Sequence, residues 1–294
     1  MNCWSTTRFQ IDLTEPRVMG IVNVTPDSFS DGGQHADAAS ALRHCEQLLH
    51  DGAHLLDIGG ESTRPGSPPV PLDEELSRVL PVVRGALQLG VPVSVDTYKP
   101  AVMAAVLDLG ADIINDVWAL RRTGPDGDPS ALEVVQRHPS CGVCLMHMHR
   151  DPQTMQVAPM QGDAVPQVRQ FFDQATQALR QNGVAAGRIV LDPGIGFGKT
   201  VAQNYALLAR QGELLALGYP LLVGWSRKSS IGAVLQGAAP VPPPPAQRVT
   251  GSVAAALLAV ERGARIVRVH DVRETVQALA VWRAMQAAWP VLSG

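Results

Sequence analysis

Short apolar runs rich in β-branched residues alternate along the chain with longer segments of helical length. At several of the boundaries between a helical segment and the next apolar run, a glycine lies shortly before the run: Gly52, Gly90, Gly110, Gly218 and Gly263. Glycine just past a helix can adopt the left-handed conformation that ends it, and continuous apolar strands suit a parallel sheet covered on both faces. The pattern predicts eight strands, at residues 18–25, 55–58, 93–96, 113–116, 142–148, 189–193, 221–224 and 266–270.

The segments between these runs are long enough for helices that cross from one strand to the next. One segment has apolar residues at the 3.6-residue period of a helix, at positions 72, 76, 79, 80, 83 and 87. Another starts with Asp128 and Pro129, which predicts an N-cap followed by proline at the first helical position. Alternating units of this kind predict an α/β protein folded as a single (β/α)8 TIM barrel, although a doubly wound open sheet shows the same alternation.

The chain has 294 residues, a length that also accommodates two domains. Because the predicted barrel accounts for about residues 17–285, we predict a single domain over residues 1–294. Residues 238–246 break the pattern with Pro240 and a run of prolines at 242–245. This polyproline segment interrupts one connection, after the seventh strand. We therefore interpret it as a loop insertion rather than a linker or a docking motif for a partner.

Composition and charge exclude several classes of protein. A net charge of −3, from 27 acidic and 24 basic residues, argues against a general nucleic-acid binder. The apolar runs are far shorter than the ~20 residues of a membrane span, and the first sixteen residues lack the apolar core of a secretory signal. Cys141 and Cys144 lie three positions apart in a predicted strand, so they face opposite sides and are read as buried apolar residues. We expect a cytoplasmic protein.

Polar residues collect at the carboxyl ends of the predicted strands, the face at which barrel enzymes place their active sites. They are Asn23, Thr25, Glu61, Thr63, Arg64, Asp96, Asn115, Asp116, His147, His149, Asp192, Ser226, Arg227, Lys228, Arg268 and His270. Any one of them could be a cap or a satisfied core residue. Their concentration at one edge predicts a functional site.

The residue types at this edge indicate what the site binds. Arg64, Lys228, Arg268 and His270 supply positive charge, and the last two strands form the usual phosphate corner of such barrels. The backbone amides of residues 229–231 would add to it if a short helix starts there. A phosphorylated ligand is therefore expected. Asp96, Asn115 and Asp192 are expected to face inward and would suit a polar heterocycle. Asn23 offers one oxygen ligand of the kind that Mg²⁺ accepts when water and phosphate fill most of its coordination shell.

Two motifs resemble other kinds of site without matching them. The glycine-rich segment 194–200 fails the phosphate-loop template because Pro193 stands where glycine is needed, and it fails the dinucleotide template at Lys199. His147 and His149 are spaced to share one strand face, as in zinc-dependent barrel amidohydrolases. That family carries its paired histidines on the first strand, which here ends in Asn23, so we give the zinc reading little weight.

Eight segments in order along the chain resemble one family. They are MGIVNVTPDSFSDGG (19–33), DIGGESTRPG (57–66), SVDT (94–97), INDV (114–117), LMHM (145–148), DPGIGFGK (192–199), SRKS (226–229) and RVHDV (268–272). Together they closely resemble the dihydropteroate synthases, the folate-pathway enzymes that sulfonamide drugs inhibit. The matches run from about Val18 to Thr275, so the resemblance covers most of the chain.

The resemblance implies a transferase that condenses 6-hydroxymethyl-7,8-dihydropterin diphosphate with 4-aminobenzoate, giving 7,8-dihydropteroate and diphosphate by an SN1-like, magnesium-assisted displacement. Catalytic roles then fall to Asp96, Lys228 and Asp192. The pterin pocket would also include Asn115, Met146 and Gly224; the diphosphate would be held by Thr63, Arg64, Arg268 and His270, and the magnesium by Asn23. The 4-aminobenzoate pocket would be shaped by Phe29, Pro65, Phe197 and Ser229.

The family also suggests a homodimer formed through helices near the C-terminus, where Trp282, Met285 and Trp289 could contribute or could simply cover the barrel. Two features depart from the family pattern: Arg150 stands where the family usually has a small residue, often glycine, and the proline run is unusual. Two rival functions remain, a pterin-binding methyltransferase and a paralogue that binds pterin without turnover. The cationic segments 226–229 and 268–270 favour diphosphate chemistry over both.

Overall fold

The computed structural model of the chain describes residues 1–24, 33–62, 67–124, 128–151, 154–155 and 157–292; the side chains of 33–37 and 289–292 are left out of the description. Some of the residues predicted for the site fall elsewhere. Phe29, Thr63, Arg64 and Pro65 lie outside the described residues, as does the side chain of Trp289.

Eight parallel strands form one sheet. They are β3 (Arg17–Asn23), β4 (Leu55–Gly59), β5 (Val93–Asp96), β6 (Ile113–Asp116), β7 (Gly142–Met146), β8 (Ile189–Asp192), β9 (Leu222–Val223) and β10 (Ile266–Val269). Their hydrogen-bonded order is β8-β7-β6-β5-β4-β3-β10-β9. A parallel bridge between Leu191 and Leu221 joins the two ends of that order. The sheet is therefore a closed barrel, which confirms the (β/α)8 prediction and excludes the open doubly wound sheet.

Helices surround the barrel. They are α1 (Gly33–His50), α2 (Leu72–Ala86), α3 (Pro100–Asp108), α4 (Ala131–Arg137), α5 (Ala164–Gln181), α6 (Val201–Ala209), α7 (Gly212–Leu215), α8 (Ser229–Leu235), α9 (Val249–Glu261) and α10 (Val272–Leu292). The periodicity found in the sequence belongs to α2, whose Val79, Val82 and Val83 are buried against the core. Among the described helices, none is both long and apolar enough to cross a membrane.

The start of α4 differs from the prediction. Its N-cap is Ser130, not Asp128. Ser130 accepts a hydrogen bond from the backbone N–H of Glu133, and the Glu133 carboxylate accepts one from the backbone N–H of Ser130 in return. This capping box satisfies two otherwise unpaired donors, so the helix begins two residues later than the Asp-Pro pair suggested.

A small antiparallel hairpin, which was not predicted from the sequence, fills the amino-terminal end of the barrel. It consists of β1 (Cys3–Ser5) and β2 (Gln10–Asp12). Trp4 is fully buried against inward-facing barrel residues such as Met19 and Ile113, and its Nε1 donates a hydrogen bond to the Arg188 carbonyl at 2.9 Å. With this end plugged, the space left inside the barrel lies at the carboxyl ends of the strands.

The two clustered cysteines behave as predicted. Cys141 packs in the layer between sheet and helices, whereas Cys144 packs inside the barrel. Both are buried free thiols, and burial raises the pKa of each. A buried thiol of this kind is inert, so neither chelation nor redox chemistry is indicated.

Candidate active site

A cavity of about 450 Å³ opens at the carboxyl ends of the strands and is continuous with a smaller one of about 50 Å³. Five residues line both: Asp96, Phe197, Gly224, Lys228 and Arg268. Two grooves on the outer helices are larger, about 610 and 640 Å³. We place the site at the strand ends because the outer grooves lack the buried, convergent polar groups that mark binding sites.

Most of the described residues predicted for the site lie around these two cavities. The larger cavity is lined in part by Asn23, Asp96, Phe197, Gly224, Lys228, Ser229, Arg268 and His270. The smaller one adds Asn115, Met146 and Asp192. Residues up to 247 positions apart in the sequence are thus brought together, from Asn23 to His270.

One side of the site is rich in carboxylates, and Asp57 lies at its centre. Arg268 donates from Nε to Asp57 Oδ2 at 2.5 Å and from its terminal nitrogen Nη2 to Asp96 Oδ2 at 2.8 Å. Asn115 donates from Nδ2 to the same Asp57 oxygen at 3.1 Å. Asp57 was not among the predicted residues, although a carboxylate within the apolar run 55–58 was a visible signal. Its contacts make it the residue that orients Arg268 and Asn115.

Burial perturbs the titration of these carboxylates. Burial raises the pKa of Asp96 to about 7, against the opposing effect of Arg268. It also raises the pKa of Asp192, although the N–H of Gly194 donates to Asp192 Oδ1 at 2.8 Å and works in the opposite direction. Asp96 Oδ1 is buried with no hydrogen-bond partner among the described residues. An unpaired buried acceptor costs free energy, and a ligand N–H would remove that cost.

Cationic side chains line the same two cavities. Lys228 lies directly before α8, with its Nζ 4.4 Å from the centre of the Phe197 ring. Ser226 Oγ lies 3.0 Å from Nδ1 of His270 and also accepts a hydrogen bond from the His270 backbone N–H at 3.1 Å. Arg227 instead pairs with Asp271 at 2.6 Å. The start of α8 at Ser229 agrees with the prediction of a short helix there.

Lys199 fastens two loops of the site to each other. Its Nζ donates to the backbone carbonyls of His147, Gly194 and Phe197 at 3.2, 2.9 and 3.1 Å. The side chain is buried, and burial lowers its pKa to about 7. Lys199 therefore acts on the backbone that carries Phe197 and not on the cavity directly.

The paired histidines do not share a strand face. Strand β7 ends at Met146, so His147 and His149 both lie beyond it. The His147 ring is buried and packs edge-on against Phe171, at 5.0 Å between ring centres. Among the residues that the structure describes, no group of three or more His, Cys, Asp and Glu could hold a metal ion. The geometry gives the zinc reading no support.

Comparison with known proteins identifies the family. The sequence profile of the pterin binding enzymes matches residues 19–270. A dihydropteroate synthase of Neisseria meningitidis serogroup B is 50% identical over 287 residues, which cover 96% of this chain and 97% of the relative. The chain belongs to the dihydropteroate synthase family. It is accordingly an enzyme of the transferase class.

Solved dihydropteroate synthases share the fold. The Burkholderia cenocepacia enzyme complexed with 7,8-dihydropteroate is 51% identical, with a TM-score of 0.86 and 98% of each chain covered. The Yersinia pestis enzyme in a complex with a sulfonamide drug is 46% identical, with a TM-score of 0.87 and 97% of this chain and 100% of that chain covered. The family resemblance seen in the sequence is thus confirmed at the levels of sequence and fold.

The loop after β7 contains a residue with a left-handed backbone. Arg150 has φ of +66°, a conformation that favours glycine. Directly before it, His149 packs against the loop after β8, so closely that a Cβ on Gly198 would lie 2.7 Å from the His149 Cβ. The loop therefore keeps a backbone suited to glycine while carrying an arginine.

We expect Arg150→Gly to stabilise the fold by about 0.5–1 kcal/mol. Removing the left-handed strain gains about 1–2 kcal/mol, and the greater freedom of glycine in the unfolded chain offsets part of it. Urea unfolding measures the difference. Arg137→Gly is the control, because Arg137 lies in α4, where glycine should destabilise. A lower free energy of unfolding for Arg150→Gly would contradict the strain argument.

Proposed function

We propose that this chain condenses 6-hydroxymethyl-7,8-dihydropterin diphosphate with 4-aminobenzoate to give 7,8-dihydropteroate and diphosphate in folate biosynthesis. One observation carries the proposal. The carboxylates of Asp96, which is half-buried, and Asp192, which is buried, line the same small cavity at the strand ends as the cations Lys228 and Arg268. Such a site suits a substrate with a polar ring at one end and an anion at the other. The Burkholderia relative bound to 7,8-dihydropteroate supports the same product.

The pterin is proposed to occupy the carboxylate side. Asp96 and Asp192 would accept its ring N–H groups, Asn115 and Lys228 would contact its heteroatoms, and Met146 and Gly224 would bound the slot. Arg268 donates to Asp96 Oδ2 at 2.8 Å in this structure, so a ring N–H that binds this oxygen would compete with the guanidinium.

The diphosphate is proposed to lie toward Arg268 and His270, with Thr63 and Arg64 joining from the loop after β4. The half-buried side chain of Asn23 lines the same cavity. A single amide oxygen, without a cluster of acidic residues among the described side chains, fits Mg²⁺ only where water and diphosphate supply the other ligands. Bound there, Mg²⁺ would neutralise charge on the leaving diphosphate.

The proposed chemistry is an SN1-like displacement. The bond between the pterin methylene and the diphosphate oxygen breaks, and the electron pair leaves with diphosphate, as the cationic side chains favour. The methylene cation is stabilised by the ionised Asp96 and Asp192. The amine of 4-aminobenzoate, in a pocket shaped by Phe197 and Ser229 with Phe29 and Pro65, then forms the C–N bond and loses a proton. This route requires no enzyme nucleophile.

The direct test is incubation of the protein with the pterin diphosphate, Mg²⁺ and 4-aminobenzoate, with the product identified by mass. We expect 7,8-dihydropteroate and one equivalent of diphosphate. Methyl transfer from a methylated folate would select the methyltransferase rival instead. Pterin binding without any product would select the paralogue that has lost turnover.

We expect the affinity for 6-hydroxymethyl-7,8-dihydropterin, which lacks the diphosphate, to fall as the pH decreases below about 7. Burial raises the pKa of Asp96 to about 7, so the carboxylate is ionised and accepts ring N–H groups above that pH and is protonated below it. The raised pKa of Asp192 acts in the same direction. Calorimetric titration between about pH 5.5 and about pH 8.5 measures the effect. A pH-independent affinity would exclude Asp96 as the titrating acceptor.

Three further expectations belong to this proposal. Sulfonamides should inhibit by competing with 4-aminobenzoate, as the drug complex of the Yersinia pestis enzyme suggests. The enzyme is expected to act in the cytoplasm as a homodimer. Helix α10 exposes Val281 and Met285, at 72% and 51% of their surfaces, while Trp282 packs against the core. Light scattering of the purified protein would decide between dimer and monomer.

A further inference from the structure

Arg248 joins three segments around the turn formed by residues 227–229. It ends a one-turn 3-10 helix (Pro245–Arg248) that begins within the proline-rich segment, and it lines the larger cavity. Its Nε donates to the carbonyl of Pro243 at 2.8 Å, and its terminal nitrogen Nη1 donates to the carbonyl of Arg227 at 3.0 Å. One planar guanidinium thus joins the proline-rich segment, residues 238–246, to the turn that carries Lys228.

The turn itself has an unfavourable backbone. Arg227 has a left-handed φ of +59°, a conformation that costs a non-glycine residue about 1–2 kcal/mol and persists only where neighbouring contacts fix it. Besides the ion pair of its side chain with Asp271, two backbone contacts of Arg227 lead to residue 248. The Arg227 N–H donates to Ser252 Oγ at 2.8 Å, and that hydroxyl donates to the Arg248 carbonyl at 2.7 Å. The Arg248 side chain therefore holds the Arg227 carbonyl, while Ser252, bonded to the Arg248 backbone, holds the Arg227 N–H.

The guanidinium also lies flat against helix α8, which begins at Ser229. A Cβ on Gly232 would come within 2.7 Å of Arg248 Nε and 2.8 Å of Cζ, so glycine is required for this approach. Arg248 consequently contacts the chain on both sides of Lys228 and Ser229: at Arg227 before them and at Gly232 after them. The position of both site residues depends on this packing.

The prolines give the Pro243 carbonyl a fixed direction. Pro244 has φ of −63° and ψ of 159°, the polyproline II conformation that proline pre-organises. Because each proline restricts its own φ and the residue before it, the run 242–245 loses little further freedom when Arg248 binds it. A flexible loop of the same length would hold the acceptor less firmly.

We propose that Arg248 is a positioning residue for the Arg227–Ser229 turn, and that the proline-rich segment acts in the reaction by supplying the rigid carbonyl that anchors Arg248. This role rests on the proposed function, which assigns Lys228 and Ser229 to the binding of the two substrates. In this proposal the proline-rich segment stabilises the site of its own enzyme and does not bind a partner protein.

The kinetic test compares Arg248→Met, the double substitution Pro242→Gly with Pro244→Gly, and the three substitutions together. Arg248→Met should raise KM for 4-aminobenzoate and Kd for the hydroxymethylpterin about tenfold, the value of one to two hydrogen bonds. The glycine pair should raise them about threefold. All three together should equal Arg248→Met alone, since the prolines act only through Arg248. Arg248→Lys, which keeps the charge without the two-pronged geometry, should recover only part of the loss.

Hydrogen exchange supplies a readout that does not depend on activity. The amides of residues 226–232 should exchange faster in Arg248→Met, while those of the barrel strands stay unchanged. Arg262→Met is the matched control. Arg262 donates to a backbone carbonyl, that of Leu258 at 3.3 Å, at the other end of α9. It should alter neither exchange in the turn nor the kinetic constants.

The outcomes separate this proposal from the proposed function. If the wild-type protein forms no dihydropteroate, the proposed function fails, while exchange at residues 226–232 still decides whether Arg248 anchors the turn. Unchanged KM and Kd in an active Arg248→Met enzyme would overturn the positioning role. Additive effects of the glycine pair and Arg248→Met would show that the prolines do not act through Arg248.

Discussion

Asp96→Asn should lower kcat by at least about 100-fold while leaving the barrel folded. The substitution removes the negative charge that would face the pterin methylene cation, and losing one pre-organised electrostatic contact of this kind costs about 10²–10³ in rate. Circular dichroism and a coupled assay for diphosphate measure the two quantities. A kcat within tenfold of the wild type would contradict the role of Asp96.

Stability should change little in this variant, for two reasons. Burial raises the pKa of Asp96 to about 7, so above that pH the ionised carboxylate opposes folding, and a neutral amide removes this cost. Arg268 also keeps its contact with Asp57 at 2.5 Å. The control is Asp116→Asn: this buried carboxylate accepts the N–H groups of Trp118 and Leu120 and lies outside the cavities. The variant should lower the free energy of unfolding, because the amide has one oxygen where the carboxylate uses both, and it should leave kcat within a few-fold of the wild type.

Lys228→Ala should reduce kcat/KM for the pterin diphosphate by about 100-fold or more. Its Nζ lies at the cavity, 4.4 Å from the centre of the Phe197 ring, and each charge-assisted hydrogen bond that it makes to substrate is worth about 1.5–3 kcal/mol. The side chain is half-buried, so its loss leaves no large internal void. Steady-state kinetics measures the loss of kcat/KM, and thermal unfolding measures the change in stability, which should be small.

A second variant separates charge from packing at this position. Lys228→Met keeps an unbranched stem against Phe197 but has no ammonium group. We expect it to lose as much activity as Lys228→Ala, because the proposed role depends on charge. Recovery of most of the activity in Lys228→Met would instead assign the residue to packing against Phe197.

The barrel could be predicted from the sequence because its strands are buried on both faces and are therefore continuously apolar. Strands β4, β5 and β6 begin at the predicted residues and end within one residue of the predicted ends. The hairpin of β1 and β2 was missed because strands of three residues are too short to show a periodic pattern. Trp4, which anchors the hairpin, donates a hydrogen bond to the carbonyl of Arg188, 184 residues away. No local sequence pattern indicates this contact.

The candidate site was predicted in part for a similar reason. Polar residues at strand ends are visible in the sequence, since each follows an apolar run. Asp57 and Arg248 were not predicted because neither directly follows an apolar run: Asp57 lies within a strand, and Arg248 follows a loop. Their roles depend on the residues that they contact in the folded chain. The departure at Arg150 was visible as a residue type, but its left-handed φ of +66° was not.

The sequence by itself determined the βα alternation, the edge at which the polar residues collect and the family to which the chain belongs, because these depend on local patterns of apolar and charged residues. Only the tertiary structure decided that Arg268 pairs with Asp57 and Asp96, across 211 and 172 residues, and that Arg248 holds the Arg227 turn. Closure of the barrel sets those distances. The roles of Arg268 and Arg248 depend on the residues that they contact, and the closed barrel brings those residues together.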